Sequence, residues 1–436
     1  MTRRAAMSPA ASPRAGAPVA VTGTGVVSPI GNDLAAFDDA LFAGRSAVRA
    51  HALDLPGIEL PAVPVAAAAF DTAAVVAPSR VPLDRGTAMA LAAAEDAARA
   101  AGLVPGSFDP ERLGIFWGSG MAGATTFETT CRTVYADRRR MRPTSVVTTM
   151  PNAPVAEIAL RFGARGTALA YACACASSAV AIGEAMRAIR AGRIDVAIAG
   201  GSESLLTPGV LASWQAMRVL TPIGAGPDGA DAARRACRPF ATDRAGFALG
   251  EAAAAFVLES IEHARSRAAP AQFHLSGYAT NCDGLHITNP DAGGQARAMR
   301  AALADAGLDA GAIGYLNAHG TATMNGDAAE ADSIATVFGT NGVPVSSTKA
   351  IHGHLLGAGG AVELLAAARA LATERLPPTA NTTALDPAFA IDLVTVAARP
   401  ARGLAHVMSS SFAFGGTNAV LVASRAGPMA AHGVGP

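Results

Sequence analysis

The order of apolar and polar positions predicts strands and helices that alternate along almost the whole chain. Short β-branched runs that end in glycine or polar residues predict strands at 19–23, 113–117, 167–171, 194–198, 256–259, 273–278, 313–317 and 405–410. Apolar residues at helical spacing, several of them followed by glycine, predict helices at 33–44, 86–101, 176–190, 293–307, 327–338 and 359–373. This alternation indicates an α/β fold with parallel strand pairs and buried crossover helices.

The two parts of the chain follow the same plan and divide near 260–270. We interpret them as the products of an internal duplication, an N-terminal half at 18–262 and a C-terminal half at 263–425, although the two share little sequence identity. Residues 1–17 combine arginine with alanine, serine and proline and predict a disordered tail, with an organelle transit peptide as the alternative. Residues 426–436 predict a flexible C-terminal tail.

Composition narrows the class of protein. The 436 residues are 51% hydrophobic and 16% charged, with a formal net charge of zero, which suits a large α/β core and argues against nucleic-acid binding through a basic field. The two most apolar stretches, 166–190 and 353–372, contain glutamate and arginine and are interpreted as core elements, not membrane spans. Five scattered cysteines without a Cys-x-x-Cys pair favour a reducing cytoplasm.

Lys349 is the only lysine in a chain with 34 basic residues. Most surface positions tolerate either cation, so a single surviving lysine marks a site where the planar arginine fork does not fit. Its neighbours are small residues and glycines, and His354 follows five positions later, which indicates a buried polar site. Chance survival on a surface turn is the alternative.

Cys175 lies between the predicted strand at 167–171 and the helix that starts at 176. Free backbone N–H groups at a helix N-terminus lower the pKa of a thiol, here from about 8.5 toward about 7. The small residues that follow leave room for a thioester. A structural buried cysteine is the alternative and the commoner role, which we assign to Cys173.

Two further segments carry candidate chemistry. His319 lies in Asn-Ala-His-Gly-Thr-Ala-Thr (317–323), at the C-terminal end of a predicted strand, where ligands gather in α/β folds. The segment Ser-Phe-Ala-Phe-Gly-Gly-Thr-Asn (411–418) contains paired glycines, whose backbone can approach a ligand closely. A cysteine, two histidines and a lysine, each at a strand end or glycine loop, indicate one catalytic site.

These segments resemble the β-ketoacyl-acyl-carrier-protein synthases of the elongating, Cys-His-His type, over about residues 19–422. The matching motifs are the nucleophile block at 174–183, the first histidine at 317–321, the lysine and second histidine at 347–349 and 353–357, and the gating loop at 412–418. The resemblance implies a thiolase-like fold, layered αβαβα, in a homodimer. It also implies an acyl carrier protein as partner, because both substrates arrive on its phosphopantetheine arm.

The resemblance further implies a decarboxylative condensation. Cys175 holds the acyl chain as a thioester, and the backbone N–H groups of Cys175 and Phe414 form an oxyanion hole. Neutral His319 and His354 donate hydrogen bonds to the enolate left when malonyl carrier protein loses CO₂. Lys349 orients His354 and balances the charge of Glu363. This chemistry requires neither a metal nor a redox cofactor.

Other positions receive roles from the resemblance alone. Phe412 and Phe414 belong to the gating loop. The supporting residues are Glu363, Asp327, Glu330 and Asp283, and the pantetheine-binding residues are Thr321, Thr323, His286 and Thr288.

Three departures from the family pattern bear on the pathway. Ala413 replaces a glycine of the gating loop, His352 replaces a small polar residue, and Gly250-Glu251-Ala252 lacks the second family glycine. We expect fatty-acid elongation, with a ketosynthase of a type II polyketide or polyene pathway as the alternative. A non-catalytic chain-length partner subunit would lack the nucleophile, and a thiolase would need a further cysteine after Cys282. A binding protein on the same fold would not need Lys349.

A cluster of basic residues lies within the N-terminal half. It consists of Arg138, Arg139, Arg140 and Arg142. The stretch 119–148 is glycine-rich, then polar, then basic, and predicts an irregular excursion over the site. The cluster is a candidate docking surface for the acidic carrier protein, and a solvated charge run is the alternative.

Overall fold

The computed structural model describes residues 16–104, 106–224 and 229–427. The predicted tails at 1–17 and 426–436 lie outside the described residues, except for residues 16, 17, 426 and 427. The strands are β1 (Val19–Val27), β2 (Arg49–His51), β3 (Val63–Ala66), β4 (Leu113–Gly118), β5 (Ala168–Tyr171), β6 (Val196–Glu203), β7 (Leu249–Gly250), β8 (Ala252–Glu259), β9 (Phe273–Cys282), β10 (Tyr315–Asn317), β11 (Pro344–Ser346), β12 (Arg375–Leu376), β13 (Asp392–Leu393), β14 (Arg399–Pro400), β15 (His406–Phe412) and β16 (Thr417–Arg425).

The helices connect successive strands along the chain. They are α1 (Leu34–Phe42), α2 (Arg85–Ala100), α3 (Ala124–Tyr135), α4 (Ser145–Thr149), α5 (Ala153–Phe162), α6 (Ser177–Arg190), α7 (Pro208–Ala216), α8 (Gly229–Arg234), α9 (Ile261–Ser266), α10 (Ala292–Ala306), α11 (Met324–Phe338), α12 (Lys349–His352) and α13 (Gly359–Thr373).

Eleven strands form one continuous sheet in the order β13-β11-β10-β15-β16-β9-β1-β8-β6-β4-β5. The pairs β10–β15 and β4–β6 are parallel, whereas the strands at the centre are antiparallel. The N-terminal half supplies β1, β8, β6, β4 and β5, and the C-terminal half supplies the rest. The antiparallel pair β1–β9, with Val19 opposite Leu275, joins the two halves.

The helices give the sheet a layered arrangement. Helices α6 and α13 pack against each other and against strands of both halves, so they form the middle layer. Helices α2 and α5 cover the outer face of the first half, and α10 and α11 cover that of the second. The protein therefore has the thiolase-like αβαβα fold, and the middle layer brings the candidate residues of the two halves together.

The segment Leu356–Thr373 is long and apolar enough to span a membrane, but 83% of it is buried inside the protein. It contains α13, and its burial against both halves identifies it as a core element, as the sequence predicts.

Every predicted helix and strand is present, with ends shifted by a few residues, but the excursion predicted at 119–148 is partly helical. It contains α3 and α4. Helix α3 is rich in threonine, which has low helix propensity, and tertiary contacts hold it. Asp84 accepts hydrogen bonds from the backbone and hydroxyl of Thr126, and Glu128 accepts one from the backbone of Gly209.

Candidate active site

One cavity of about 410 Å³ brings the motifs of the two halves together. Cys175 reaches it from the turn between β5 and α6, and His319 from the loop after β10. His354 follows α12, Phe412 is the last residue of β15, and Phe414 lies in the loop between β15 and β16. Cys175 thus faces the same space as residues that follow it by 144 or more positions.

Cys175 is a buried thiol in contact with a histidine. Its side chain lies in a short 3-10 turn (Ala174–Ala176) before α6, and its residue is 6% exposed. Sγ lies 3.1 Å from Nε2 of His354, and the backbone N–H of Phe414 donates to the thiol. Ala174 has a left-handed backbone (φ 46°), which is strained for alanine and turns the thiol toward the cavity.

The predicted lowering of the Cys175 pKa is wrong. Burial raises the pKa of this thiol to about 12, and the positive charge of Lys349 opposes the rise only in part. The 3-10 turn also places the cysteine before the first residue of α6. The resting group is therefore a neutral thiol.

His319 is a buried imidazole whose protonation is set by Lys349. Nζ of Lys349 lies 3.3 Å from Nδ1 of His319 and forms a salt bridge with Glu363. An ammonium offers only donors, so Nδ1 accepts and the imidazole proton resides on Nε2. Burial and the charge of Lys349 hold the pKa of His319 well below its usual value. His319 thus presents a neutral N–H donor.

The prediction that Lys349 orients His354 is wrong, because its ammonium contacts His319, whereas the predicted pairing of Lys349 with Glu363 is present. The His354 ring is held by packing, edge-on to Phe247 at 5.1 Å and to His319 at 5.4 Å between ring centroids. Burial, followed by the charge of Lys349, lowers the pKa of His354 well below its usual value. Both histidines are therefore neutral.

Two buried carboxyl groups hold the loop that carries His319. Glu330 accepts from the backbone N–H groups of His319 (2.8 Å) and Gly320 (2.6 Å). Asp327 accepts from Ala322 N (3.0 Å) and Phe240 N (2.6 Å). Burial raises the pKa of Asp327 to about 7 and that of Glu330 to about 8. Both residues support the site through the backbone.

The candidate pantetheine residues line the cavity. The hydroxyls of Thr321 and Thr323 are 2.9 Å apart. His286 Nδ1 accepts from the backbone of Thr288 at 3.1 Å, and both residues are exposed. Asp283 accepts from Nδ2 of Asn418 at 2.6 Å and ties this loop to β16.

Trp214 and Glu203 belong to the site although the sequence analysis did not select them. The Trp214 ring stacks on Phe414 at 6.3 Å and lines the cavity. Glu203 accepts from the backbone of Gly120 (2.6 Å) and Gly357 (3.1 Å), which joins the loop after β4 to the turn after His354. Their only sequence signal is position: Trp214 is an aromatic residue in a short helix, and Glu203 is a carboxylate at the end of a buried strand.

The arginine cluster lies apart from the cavity lining. Arg138, Arg139, Arg140 and Arg142 are all exposed, in the segment between α3 and α4. Arg218 is the arginine that lines the cavity among the described residues.

The ligand atoms of Cys175, His319 and His354 lie within 4.8 Å of one another, close enough to bind one metal ion. The ammonium of Lys349 beside His319 opposes this, because it repels cations and keeps a proton on the nitrogen that would face the metal. The arrangement suits hydrogen-bond donation to an anion.

Comparison with known proteins agrees with this geometry. Residues 16–264 match the family model "Beta-ketoacyl synthase, N-terminal domain" and residues 273–383 match "Beta-ketoacyl synthase, C-terminal domain". Nodulation protein E of Rhizobium meliloti (strain 1021) is 37% identical over 92% of this chain and 98% of its own length. 3-Oxoacyl-[acyl-carrier-protein] synthase 2 of Vibrio cholerae serotype O1 is 35% identical over 93% of this chain and 99% of its own.

A solved structure shows the same fold over nearly the whole chain. It is a type II polyketide ketosynthase bound to a hexaketide, in complex with its acyl carrier protein, with a TM-score of 0.85 and 28% identity over 95% of this chain and 100% of its own. The chain belongs to the β-ketoacyl synthase family, as a condensing enzyme of the elongating, thiolase-like type that forms 3-oxoacyl-[acyl-carrier-protein].

Proposed function

We propose that Cys175, His319, His354 and Lys349 carry out the condensation in two stages, acyl transfer and decarboxylative attack. The observation that carries the proposal is the contact chain in the cavity. Sγ of Cys175 is 3.1 Å from Nε2 of His354, and Lys349 is 3.3 Å from Nδ1 of His319. The nucleophile, its neighbouring base and a fixed N–H donor thus face one space.

In the first stage, the thiol of Cys175 attacks the thioester of acyl carrier protein. His354 Nε2 takes the thiol proton and passes it to the departing pantetheine sulfur, so the neutral resting thiol is consumed without a net change in charge. The backbone N–H groups of Cys175 and Phe414 stabilise the tetrahedral oxyanion. The contact of Phe414 N–H with the thiol supports this assignment.

In the second stage, malonyl carrier protein loses CO₂ and leaves a thioester enolate. Neutral His319 donates a hydrogen bond from Nε2 to the enolate oxygen, and His354 does so after its one proton moves from Nδ1 to Nε2, the nitrogen that acyl transfer left unprotonated. The enolate carbon attacks the acyl group on Cys175 and breaks its C–S bond, and the released thiolate takes up one proton from solvent to restore the resting thiol. Electrons for the new C–C bond come from the broken bond to CO₂, so the proposed chemistry requires no metal or redox cofactor. Lys349 keeps the proton of His319 on Nε2, and Glu363 balances the ammonium charge.

We propose that the pantetheine arm binds to four polar residues of the cavity lining, Thr321, Thr323, His286 and Thr288. Acyl carrier protein is the proposed partner, and the exposed arginine cluster at 138–142 is its proposed docking surface.

A homodimer is the proposed assembly. Strand β5 is the edge of the large sheet and pairs with β4 alone among the described strands. Three of its four residues are exposed, and Leu169 is 47% exposed. A bare apolar edge strand invites pairing, and a second copy would cover it. The five free cysteines agree with a cytoplasmic setting.

Two pathways can use this reaction. We propose fatty-acid elongation, which the Vibrio cholerae relative supports by its name. The type II polyketide ketosynthase, with its TM-score of 0.85, favours a dedicated polyketide or polyene pathway as the second candidate.

Intact-mass measurement tests both the site and the pathway. The protein is incubated with acyl carrier proteins that carry acyl chains of different length, and malonyl carrier protein is then added. We expect acylation of the wild type and of Cys131→Ala, but not of Cys175→Ala, and a carrier product two carbons longer. Equal acylation of Cys175→Ala would overturn the assignment. A single addition to each acyl chain in the presence of excess malonyl carrier protein supports fatty-acid synthesis, whereas repeated additions without reduction support the polyketide pathway.

A further inference from the structure

His352 is a buried histidine that the proposed catalytic steps do not use. It is the last residue of α12, is 0% exposed and lies two positions before His354. Burial lowers its pKa to about 3, so the ring is neutral at physiological pH. A neutral imidazole has one donor and one acceptor nitrogen, and a buried ring that left either unpaired would be costly. Its two partners therefore show what the side chain does.

The contacts of His352 are satisfied by a single tautomer. Nδ1 lies 2.8 Å from the carbonyl oxygen of Gly353, which can only accept, so Nδ1 carries the proton. Nε2 is then the acceptor, and the hydroxyl of Thr348, 2.9 Å away, donates to it. The ring thus links the residue before Lys349 to the residue before His354.

The contact with Gly353 holds the peptide unit that carries His354. The carbonyl end of this peptide accepts from His352, and its N–H end, on His354, donates to Ala248 O at 2.7 Å. Gly353 has a positive φ of 73°. Because glycine can adopt many other backbone conformations, hydrogen bonds from neighbouring groups are needed to hold this one. Fixing the plane of this peptide fixes the direction in which the His354 ring leaves the backbone toward Cys175.

The contact with Thr348 reaches the other active-site histidine. Thr348 directly precedes Lys349, whose ammonium contacts His319. The same threonine hydroxyl lies 3.4 Å from Nδ2 of Asn317, two residues before His319. One buried ring is thus linked to the backbone segments that carry both histidines.

We propose that His352 is a positioning residue that aligns His354 through the Gly353 carbonyl and His319 through Thr348 and Lys349. The inference rests on the roles proposed above for the two histidines and goes beyond them. An error of about 1 Å in the position of a catalytic group can reduce a rate about 100-fold. The loss of His352 should therefore slow decarboxylation more than it weakens the binding of malonyl carrier protein.

The variants separate the two contacts. His352→Asn can keep a donor near the position of Nδ1 and so retain the bond to Gly353, but it loses the bond to Thr348. Thr348→Val removes the hydroxyl at the other end of that same bond with little change in shape. His352→Leu removes both contacts, and His354→Ala is the reference for loss of the catalytic group itself.

Malonyl decarboxylation is measured for each variant as kcat and KM and normalised to the fraction of protein whose Cys175 can be acylated. This normalisation removes loss through misfolding, because misfolded protein is not counted. We expect kcat to fall about 100-fold in His352→Leu and about 10-fold in His352→Asn and Thr348→Val, with KM within about twofold. The double variant His352→Asn/Thr348→Val should be no worse than Thr348→Val alone, because Thr348→Val already lacks the bond that His352→Asn removes, together with the contact to Asn317.

The measurements distinguish the positioning role of His352 from the catalytic role of His354. A normalised kcat within twofold of wild type for His352→Leu, with His354→Ala inactive, overturns the inference alone. Full activity of His354→Ala overturns the proposed function and this inference with it. If His352→Leu does not fold, the single and double variants of His352→Asn and Thr348→Val decide, and multiplied losses contradict the inference.

Discussion

The ammonium of Lys349 lies 3.3 Å from Nδ1 of His319, and this contact determines which nitrogen of the imidazole carries its proton. Because lysine can only donate, the proton of His319 resides on Nε2, the nitrogen left for the cavity. Glu363 neutralises the ammonium on its other side. The residue that composition alone singles out thus acts by setting the tautomer of a catalytic neighbour.

Replacement of Lys349 by arginine should impair decarboxylation severely although the charge is kept. The lysine is fully buried, and the larger guanidinium fork cannot occupy the space of one ammonium between His319 and Glu363. We expect kcat for CO₂ release to fall about 100-fold or more, which is the cost of losing one oriented donor. Release of ¹⁴CO₂ from labelled malonyl carrier protein measures this. A turnover equal to that of wild type would show that the lysine is dispensable.

His319→Ala and His354→Ala should both lose decarboxylation but differ in acyl transfer. Each removes an enolate donor, worth about 3–4 kcal/mol. Only His354 contacts the thiol of Cys175, at 3.1 Å, so only its loss should also slow acylation. Intact-mass time courses of acylation, with CO₂ release measured in parallel, separate the two steps. Equal acylation rates in the two variants would contradict the role of His354 as proton acceptor.

Alkylation of Cys175 should accelerate steadily with pH and show no plateau near neutrality. Burial raises the pKa of the thiol to about 12, so the thiolate fraction rises about tenfold per pH unit between pH 7 and 9. Peptide mapping after timed iodoacetamide treatment gives the rate. Cys237 is the control, because burial raises its pKa to about 12 as well and it is 0% exposed, so it should remain unlabelled. A plateau below pH 8 would indicate a stabilised thiolate.

The sequence predicts the fold and the position of the main site residues because the signals are local. Cys175 and His319 follow directly after segments with a strand pattern. The glycine loops indicate where the backbone can approach a ligand closely. The pKa of Cys175 and the partner of Lys349 depend on burial and on contacts between segments 30 or more residues apart, which a local pattern does not contain. Helix α3 is not predicted for the same reason, since Asp84 and Gly209, which are distant in sequence, hold this threonine-rich segment through hydrogen bonds to Thr126 and Glu128.

The free energy of unfolding should fall as the pH is lowered, and part of this fall should come from His352. Its folded pKa of about 3 lies below the unfolded value of about 6.5, so the unfolded chain binds the proton first as pH falls. The stability contributed by the neutral ring is complete above pH 6.5 and is lost progressively toward pH 3. Between pH 6.5 and 5 the loss is about 2 kcal/mol. Denaturant unfolding of wild type and His352→Asn at both pH values measures it. The stability difference between them should shift by that amount in favour of the variant, and a constant difference would contradict the prediction.

Replacement of Arg139, Arg140 and Arg142 by serine should weaken productive encounter with acyl carrier protein and leave the chemistry intact. These side chains are exposed and lie outside the cavity lining, so they can reach a protein partner but not the thioester. Exposed charges act mainly on association rate and are screened beyond roughly 8–10 Å at physiological salt. We expect a higher KM for the carrier substrate and a flatter dependence of kcat/KM on salt. Turnover of a small pantetheine thioester should stay within about twofold of wild type, since it needs no docking surface. Equal losses with both substrates would mean that the segment between α3 and α4 supports the structure and does not bind the carrier protein.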